Sequence, residues 1–225
     1  MIVRQHGARQ LLITQPDHAA LAARIMCEWE EPALACSPRR DAILLATAEH
    51  DNGWRETDAA PIVDPASGRV LDFVALPASM RQEIWPRGVA RLASVPYAAA
   101  LVAQHALHVY SRFRDDPEWT PFFAEMTSAR DAHLQAAAPA CLDDLLADYQ
   151  FVRAGDLVSL AFCNAWEEPQ PDGFGRTVTF DGAGVTIDPD PFNGRRIDVE
   201  IAGRDAAAFH AGAAIAVRGT VSGPR

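Results

Sequence analysis

The sequence predicts a mainly α-helical fold, a helical bundle with a small antiparallel β appendage at its carboxy end. Three observations point there. Apolar residues recur at helical spacing in successive segments between residues 14 and about 168, several of those segments open with a capping residue followed by proline, and past Glu168 the pattern changes to strand-like alternation between turn clusters.

Residues 1–13 read as a short strand or extended arm, IVRQ and LLI being separated by a break. In TQPDHAALAARIMCEWE, Thr14 can cap, Pro16 suits the first turn and Asp17 sits where the helix dipole favours an acid. Leu21, Ile25, Met26 and Trp29 share a face, and His18 lies on it one turn before Leu21, so His18 is expected to point into the core. SPRRDAILLATAEHDNGW predicts the next helix: Ser37 and Pro38 open it, Ile43, Leu44, Leu45 and Ala48 form its buried side, and Asn52-Gly53 stops it just after His50 and Asp51.

The stretch 55–78 is polar and broken by proline, with DPASG as a turn, and predicts a long ordered loop or short hairpin laid over the core. Helical character returns at SMRQEIWPRGV, where Pro86 and Gly88 are expected to break the first piece, and 98–113 reads as a longer buried helix. DDPEWTPFFAEM begins another with Phe122, Phe123 and Met126 inward, and 139–166 reads as two helices or one broken near Gly155. After PQPDGFG, the runs RTVTF, GVTIDP, RRIDVEIAG and AIAVRGTV alternate as strands. The expected division is a helical unit over 1–168, with an amino-terminal arm and an inserted loop at about 55–78, and a β-rich extension over 169–225 packed on it.

With 225 residues the chain can bury a core without disulfides or a structural metal. The formal charge is -10, and all 20 basic residues are arginine, so Schiff-base and Walker-type lysines are excluded, and no basic stripe with interleaved aromatics offers a nucleic-acid surface. The cysteines at 27, 36, 141 and 163 form no CxxC pair, the chain opens without signal-peptide grammar, and no apolar run is long enough to cross a membrane. A cytoplasmic protein is expected, whose oligomeric state, monomer or homodimer through the apolar face of the carboxy-terminal sheet, is left open. GxSxG, GxxxxGK[ST] and HExxH are absent.

The chemistry-bearing residues are polar groups on apolar surfaces. His50 and Asp51 adjoin at a helix end, His18 lies on a core-facing stripe, His105 sits in the most apolar helix, and Asp156 begins an apolar run in AGDLVSL. Imidazole and carboxylate suit manganese, zinc, nickel or iron, and a buried polar group needs a hydrogen bond or a metal. Each also has an ordinary role open to it: Asp51 in a solvated HDNGW turn, the histidines bonded to carbonyls, Asp156 capping a helix at 157–163.

A histidine on one helix, an adjacent His-Asp on the next and a distant aspartate resemble the HD-domain superfamily, helical metal-dependent phosphohydrolases with some di-iron oxygenases among them. The matching positions are His18 in QPDHAAL, His50 and Asp51 in EHDNGW, and Asp156 in GDLVSL, with Asp143, Asp144 and Asp148 as rivals for the last. His105 matches the extra histidine of two-metal members, with His108 and His133 as further choices. QPDHAALA, HDNGW, DPASGRVLDF and the helix carrying His105 together also resemble an uncharacterised bacterial protein family of about this length.

What the resemblance implies is one or two divalent ions and hydrolysis of a small phosphorylated molecule. Asp51 would ligate the ion and orient water, and Arg55, favoured over Arg39 and Arg40, would clamp phosphate. The alternatives are a non-catalytic helical scaffold or ligand-binding protein with a degenerate site, and a di-iron oxygenase using His18, His50, Asp51, His105 and Asp156.

Overall fold

The computed structural model describes residues 1–7, 9–210 and 212–224. The chain opens with strands β1 (Ile2–His6) and β2 (Arg9–Ile13). Helices follow: α1 (Gln15–Cys27), α2 (Pro32–Ala35), α3 (Arg40–Glu49), α4 (Arg55–Asp58), α5 (Ala78–Arg91), α6 (Pro96–Val109), α7 (Thr120–Ala136) and α8 (Leu142–Asn164). The chain then returns to strands with β3 (Gln170–Pro171), β4 (Thr177–Phe180), β5 (Gly184–Asp188), β6 (Arg196–Asp205) and β7 (Ile215–Ser222).

Local chemistry accounts for the helix limits. The Thr14 hydroxyl accepts from the Asp17 amide at 3.1 Å and starts α1, and Pro96 occupies the first turn of α6. In α8 the Asp144 carboxylate accepts from the Cys141 amide, and Ala165 ends the helix in the left-handed region at φ 55°. Helix α6 is apolar almost all round, with Ala98 through Ala103, Ala106 and Leu107 buried, which makes it the central helix of the body.

Among the described residues, seven strands form one sheet in the order β1-β2-β6-β7-β5-β4-β3. Neighbours are antiparallel except β5 and β7, which run parallel. Along β6 burial alternates, Val199 and Ile201 facing inward between exposed neighbours, as a half-buried strand requires. Leu21 and Ile25 of α1, Val158 and Phe162 of α8, and Ile187, Val199 and Val221 of the sheet belong to one continuous core.

The expected mainly α fold with a small antiparallel β appendage is therefore corrected. About 51% of the protein is helical, and a seven-stranded mixed sheet curls into a half-barrel, which makes this an α/β fold. The amino-terminal residues are not a loose arm: β1 and β2 form a hairpin, and Leu11 and Leu12 pair with Asp205 and Arg204, so both ends of the chain meet in one sheet. Strand pairing joins residues nearly 200 positions apart, and a five-residue strand carries no local mark of its partner.

Two expected helix breaks are also absent. Helix α5 runs through Pro86 and Gly88, and α8 is continuous through Gly155. Both glycines serve close approach of other segments. A Cβ at Gly88 would meet the Asn52 side-chain oxygen at 3.0 Å, and one at Gly155 would meet Met26 and Thr47 side chains at 2.8 and 2.9 Å. Asp156 consequently lies in mid-helix and caps nothing. Among the described residues, no helix is long and apolar enough to cross a membrane.

Candidate metal centre

Four helical elements deliver five side chains to one buried place. His18 projects from α1, His50 and Asp51 from the end of α3, His105 from α6 and Asp156 from α8. Each histidine was read as a polar residue on an apolar helix, and packing those apolar faces together brings the rings together. The His18 and His50 centroids are 5.0 Å apart and those of His50 and His105 4.8 Å, both pairs edge-to-face.

The turn carrying His50 and Asp51 is held from behind. Gly53 packs so closely under α5 that a Cβ would lie 2.2 Å from the Ile84 carbonyl oxygen. Arg87 donates to the Gly53 carbonyl at 2.8 Å, Arg91 to the Asn52 carbonyl, and the Asn52 amide to the Gly88 carbonyl at 3.2 Å. These bonds tie the Asn52-Gly53 turn to α5.

Hydrogen bonds on the outer nitrogens orient the rings. His50 Nδ1 donates to the Thr47 carbonyl at 2.8 Å. His18 Nδ1 lies 2.9 Å from Ser159 Oγ, whose own hydrogen goes to the Asp156 carbonyl at 2.9 Å, so Ser159 accepts and His18 Nδ1 donates. His105 Nδ1 lies 3.0 Å from the Tyr149 hydroxyl. With Nδ1 engaged, the Nε2 atoms of His18 and His50 both face inward, where His18 Nε2 is hydrogen-bonded to Asp51 Oδ2; a metal-ligating imidazole has that orientation with Nε2 deprotonated.

The inner nitrogens face carboxylates. His18 Nε2 is 2.7 Å from Asp51 Oδ2, and His50 Nε2 is 3.5 Å from that oxygen and 3.3 Å from Asp156 Oδ1. His105 Nε2 is 3.7 Å from Asp156 Oδ2. Donors on a tetrahedral ion with bonds near 2.0–2.2 Å stand roughly 3.3–3.6 Å apart, which the two His50 separations match, whereas 2.7 Å between His18 and Asp51 is a direct hydrogen bond. Two overlapping groups, His18-His50-Asp51 and His50-His105-Asp156, keep their donor atoms within 4.8 Å of one another. His50 Nε2 is buried yet makes no aligned hydrogen bond, an orphaned atom at the point the two groups share.

Charge favours a cation as well. Burial alone would lower the His50 pKa, but Asp51 and Asp156 outweigh it and raise it to about 9. Burial opposes ionisation of both carboxylates too, yet His50 holds Asp51 below its ordinary value, with help from His18, and holds Asp156 well below the usual carboxylate range. Burial pushes His105 down to about 3. A proton on His50 offsets one of the two carboxylate charges, whereas a divalent cation would offset both. The residues present therefore fit a divalent ion.

Other expected participants lie elsewhere. Arg55, the favoured phosphate clamp, is about half exposed and pairs with Glu49 at 2.8 Å. Arg39 pairs with Asp148 at 2.5 Å and with Asp144 at 3.3 Å, which occupies two rivals of Asp156, and the third, Asp143, is exposed. Arg40 donates to the Cys27 carbonyl. His108 and His133 are half-buried and join neither donor group among the described residues. Ser159 and Tyr149, which orient His18 and His105, were not anticipated; the sequence signal for Ser159 is its spacing of one helical turn from Asp156.

A family model described as a protein of unknown function (DUF3891) matches residues 1–207. The chain belongs to the DUF3891 family. All five cluster residues lie within the matched part, and the match agrees with the expected resemblance to an uncharacterised family, while no comparison supports assignment of this DUF3891 chain to the HD-domain superfamily. No curated protein and no solved structure matches it.

Proposed function

We propose that this DUF3891 protein is a metal-dependent hydrolase of a small phosphate ester, with one divalent ion bound at His50. The observation that carries the proposal is the orphaned His50 Nε2, buried between Asp51 and Asp156 while Thr47 holds its Nδ1. Once an ion displaces its proton, that nitrogen offers one lone pair, and it belongs to both donor groups, which favours one ion over two. The likeness of His18, His50, Asp51 and Asp156 to the HD-domain pattern supports phosphoester chemistry in particular.

When bound, the ion would act as a Lewis acid on a phosphoryl oxygen and make water a better nucleophile. The chain's own groups have separable tasks. His18, His50 and Asp51 would hold the ion from the closed side, where His18 and His50 are buried. Asp156 keeps a side chain 15% exposed, so substrate and water would enter past it. Its second oxygen lies 3.7 Å from His105 Nε2 and would orient entering water by accepting a hydrogen bond from it.

The test is elemental analysis of untagged protein purified without chelator, beside a His50→Ala, Asp51→Ala variant, followed by phosphate release from small phosphomonoesters. About one equivalent of manganese, zinc, nickel or iron, lost in a variant that stays folded, together with metal-dependent phosphate release, is the expected result. Metal without turnover on any phosphoester would leave a ligand-binding protein, and failure to take up any offered metal would end the hydrolase proposal.

A further inference from the structure

We propose that Arg153 and His108 form an anion subsite at the mouth of the cluster, receiving the phosphoryl oxygens of the substrate in the place expected for Arg55. The inference rests on the metal-hydrolase reading and adds the residues that would recognise the anion.

Arg153 lies on α8 one turn before Asp156 and one turn after Tyr149, so the three share a face of that helix. Tyr149 bonds His105, and its ring lies 5.6 Å from that of His108, which follows His105 by one turn on α6. His108, Tyr149, Arg153 and Asp156 thus form a continuous patch across the α6–α8 seam. Its outer members, His108, Arg153 and Asp156, are each partly exposed, in contrast to the fully enclosed His18 and His50.

The guanidinium is held without being neutralised. It lies 5.5 Å from the Phe174 ring centre and against Gly173, where a Cβ would come within 2.7 Å of it and displace it. Among the described residues, Arg153 has neither a carboxylate partner nor a hydrogen bond, whereas Arg39, Arg55, Arg87 and Arg91 are each paired with an acid. Burial and the nearby Arg153 charge both lower the His108 pKa, so His108 offers an anion a neutral N–H rather than a second cation. A fork of free N–H donors beside a cation centre suits tetrahedral oxyanions, which a guanidinium can bind through two hydrogen bonds.

The probe is inorganic phosphate, titrated calorimetrically into manganese-loaded wild type, Arg153→Gln, His108→Asn and Arg55→Gln, with bound manganese measured on each. Loss of a charge-assisted bond should weaken phosphate binding by about tenfold or more in Arg153→Gln and by a smaller factor in His108→Asn. Arg55→Gln should bind as wild type does, and all four should carry the same manganese. Equal phosphate affinity in Arg153→Gln and wild type, or no phosphate binding by wild type, would overturn the subsite. If wild type holds no manganese, the metal reading fails separately, and the same titration on metal-free protein still decides the subsite by whether Arg153→Gln weakens phosphate binding.

Discussion

Ser159 joins two parts of the cluster through one hydroxyl: it accepts from His18 Nδ1 and donates to the Asp156 carbonyl. Removing it would free the His18 ring to rotate and leave its Nδ1–H without a partner. Ser159→Ala should lower metal affinity by about tenfold, within the usual range for an outer partner of a metal-bound histidine. Competition with a chromogenic chelator would measure this, and unchanged affinity would remove His18 from the ligand set. A different residue-scale effect is expected at Asp148, which accepts from Arg39 and from Tyr97 at 2.7 Å in a buried position. Asp148→Asn should cost about 1–3 kcal/mol in urea unfolding while leaving bound metal unchanged, because Arg39 loses the closer of its two counter-charges and Asp148 belongs to neither donor group. Metal loss in a folded Asp148→Asn protein would instead implicate Asp148 as a ligand.

At the scale of elements, the cluster depends on how closely helices approach. Gly155 stands where α8 crosses α1 and α3, next to Asp156. Alanine would be favoured by about 1 kcal/mol on helix propensity alone, but its methyl would press on Met26 and on the stiff Thr47 side chain. Gly155→Ala is expected to destabilise by about 1–3 kcal/mol and to weaken metal binding by displacing Asp156. An increase in the urea midpoint would show that propensity wins and that the crossing has slack. Gly53→Ala presses on the Ile84 carbonyl, which is backbone and cannot rotate away, so its effect should be the larger of the two.

For the molecule as a whole, the sheet ties the chain's ends together. Leu11 is fully buried on β2, pairs with Asp205 and belongs to the main core. Leu11→Ala should cost about 2–5 kcal/mol and lower the melting temperature by roughly 5–15 °C. A detached amino-terminal arm would show no change. Metal binding offers a second global measurement: an ion bound only by the native state stabilises it by about 2.7 kcal/mol at a hundredfold excess over Kd. Added manganese or zinc should therefore raise the melting temperature of wild type and leave the His50→Ala, Asp51→Ala variant unmoved.

What could be determined from the sequence alone was whatever neighbours along the chain decide. Thr14 and Pro16 mark a helix start within one turn, and the apolar stripe carrying His18 follows from helical spacing, so the histidines' inward direction was legible. The resemblance to the HD-domain pattern grouped His18, His50, Asp51, His105 and Asp156, and the fold brings their side chains into two overlapping groups. Local pattern misled at Pro86 and Gly155, where tertiary packing keeps a helix intact through residues that would weaken it in isolation. For Arg55, adjacency to the HDNGW turn does not say which way a long side chain leaves it, and the structure pairs it with Glu49. Only the tertiary structure decided that β2 pairs with β6, that β5 and β7 run parallel, and that Arg153, one turn from Asp156, has no acidic partner among the described residues. Sheet order and side-chain partnership are set by residues brought together from distant parts of the chain, and their free energy depends on pairs that no single segment contains.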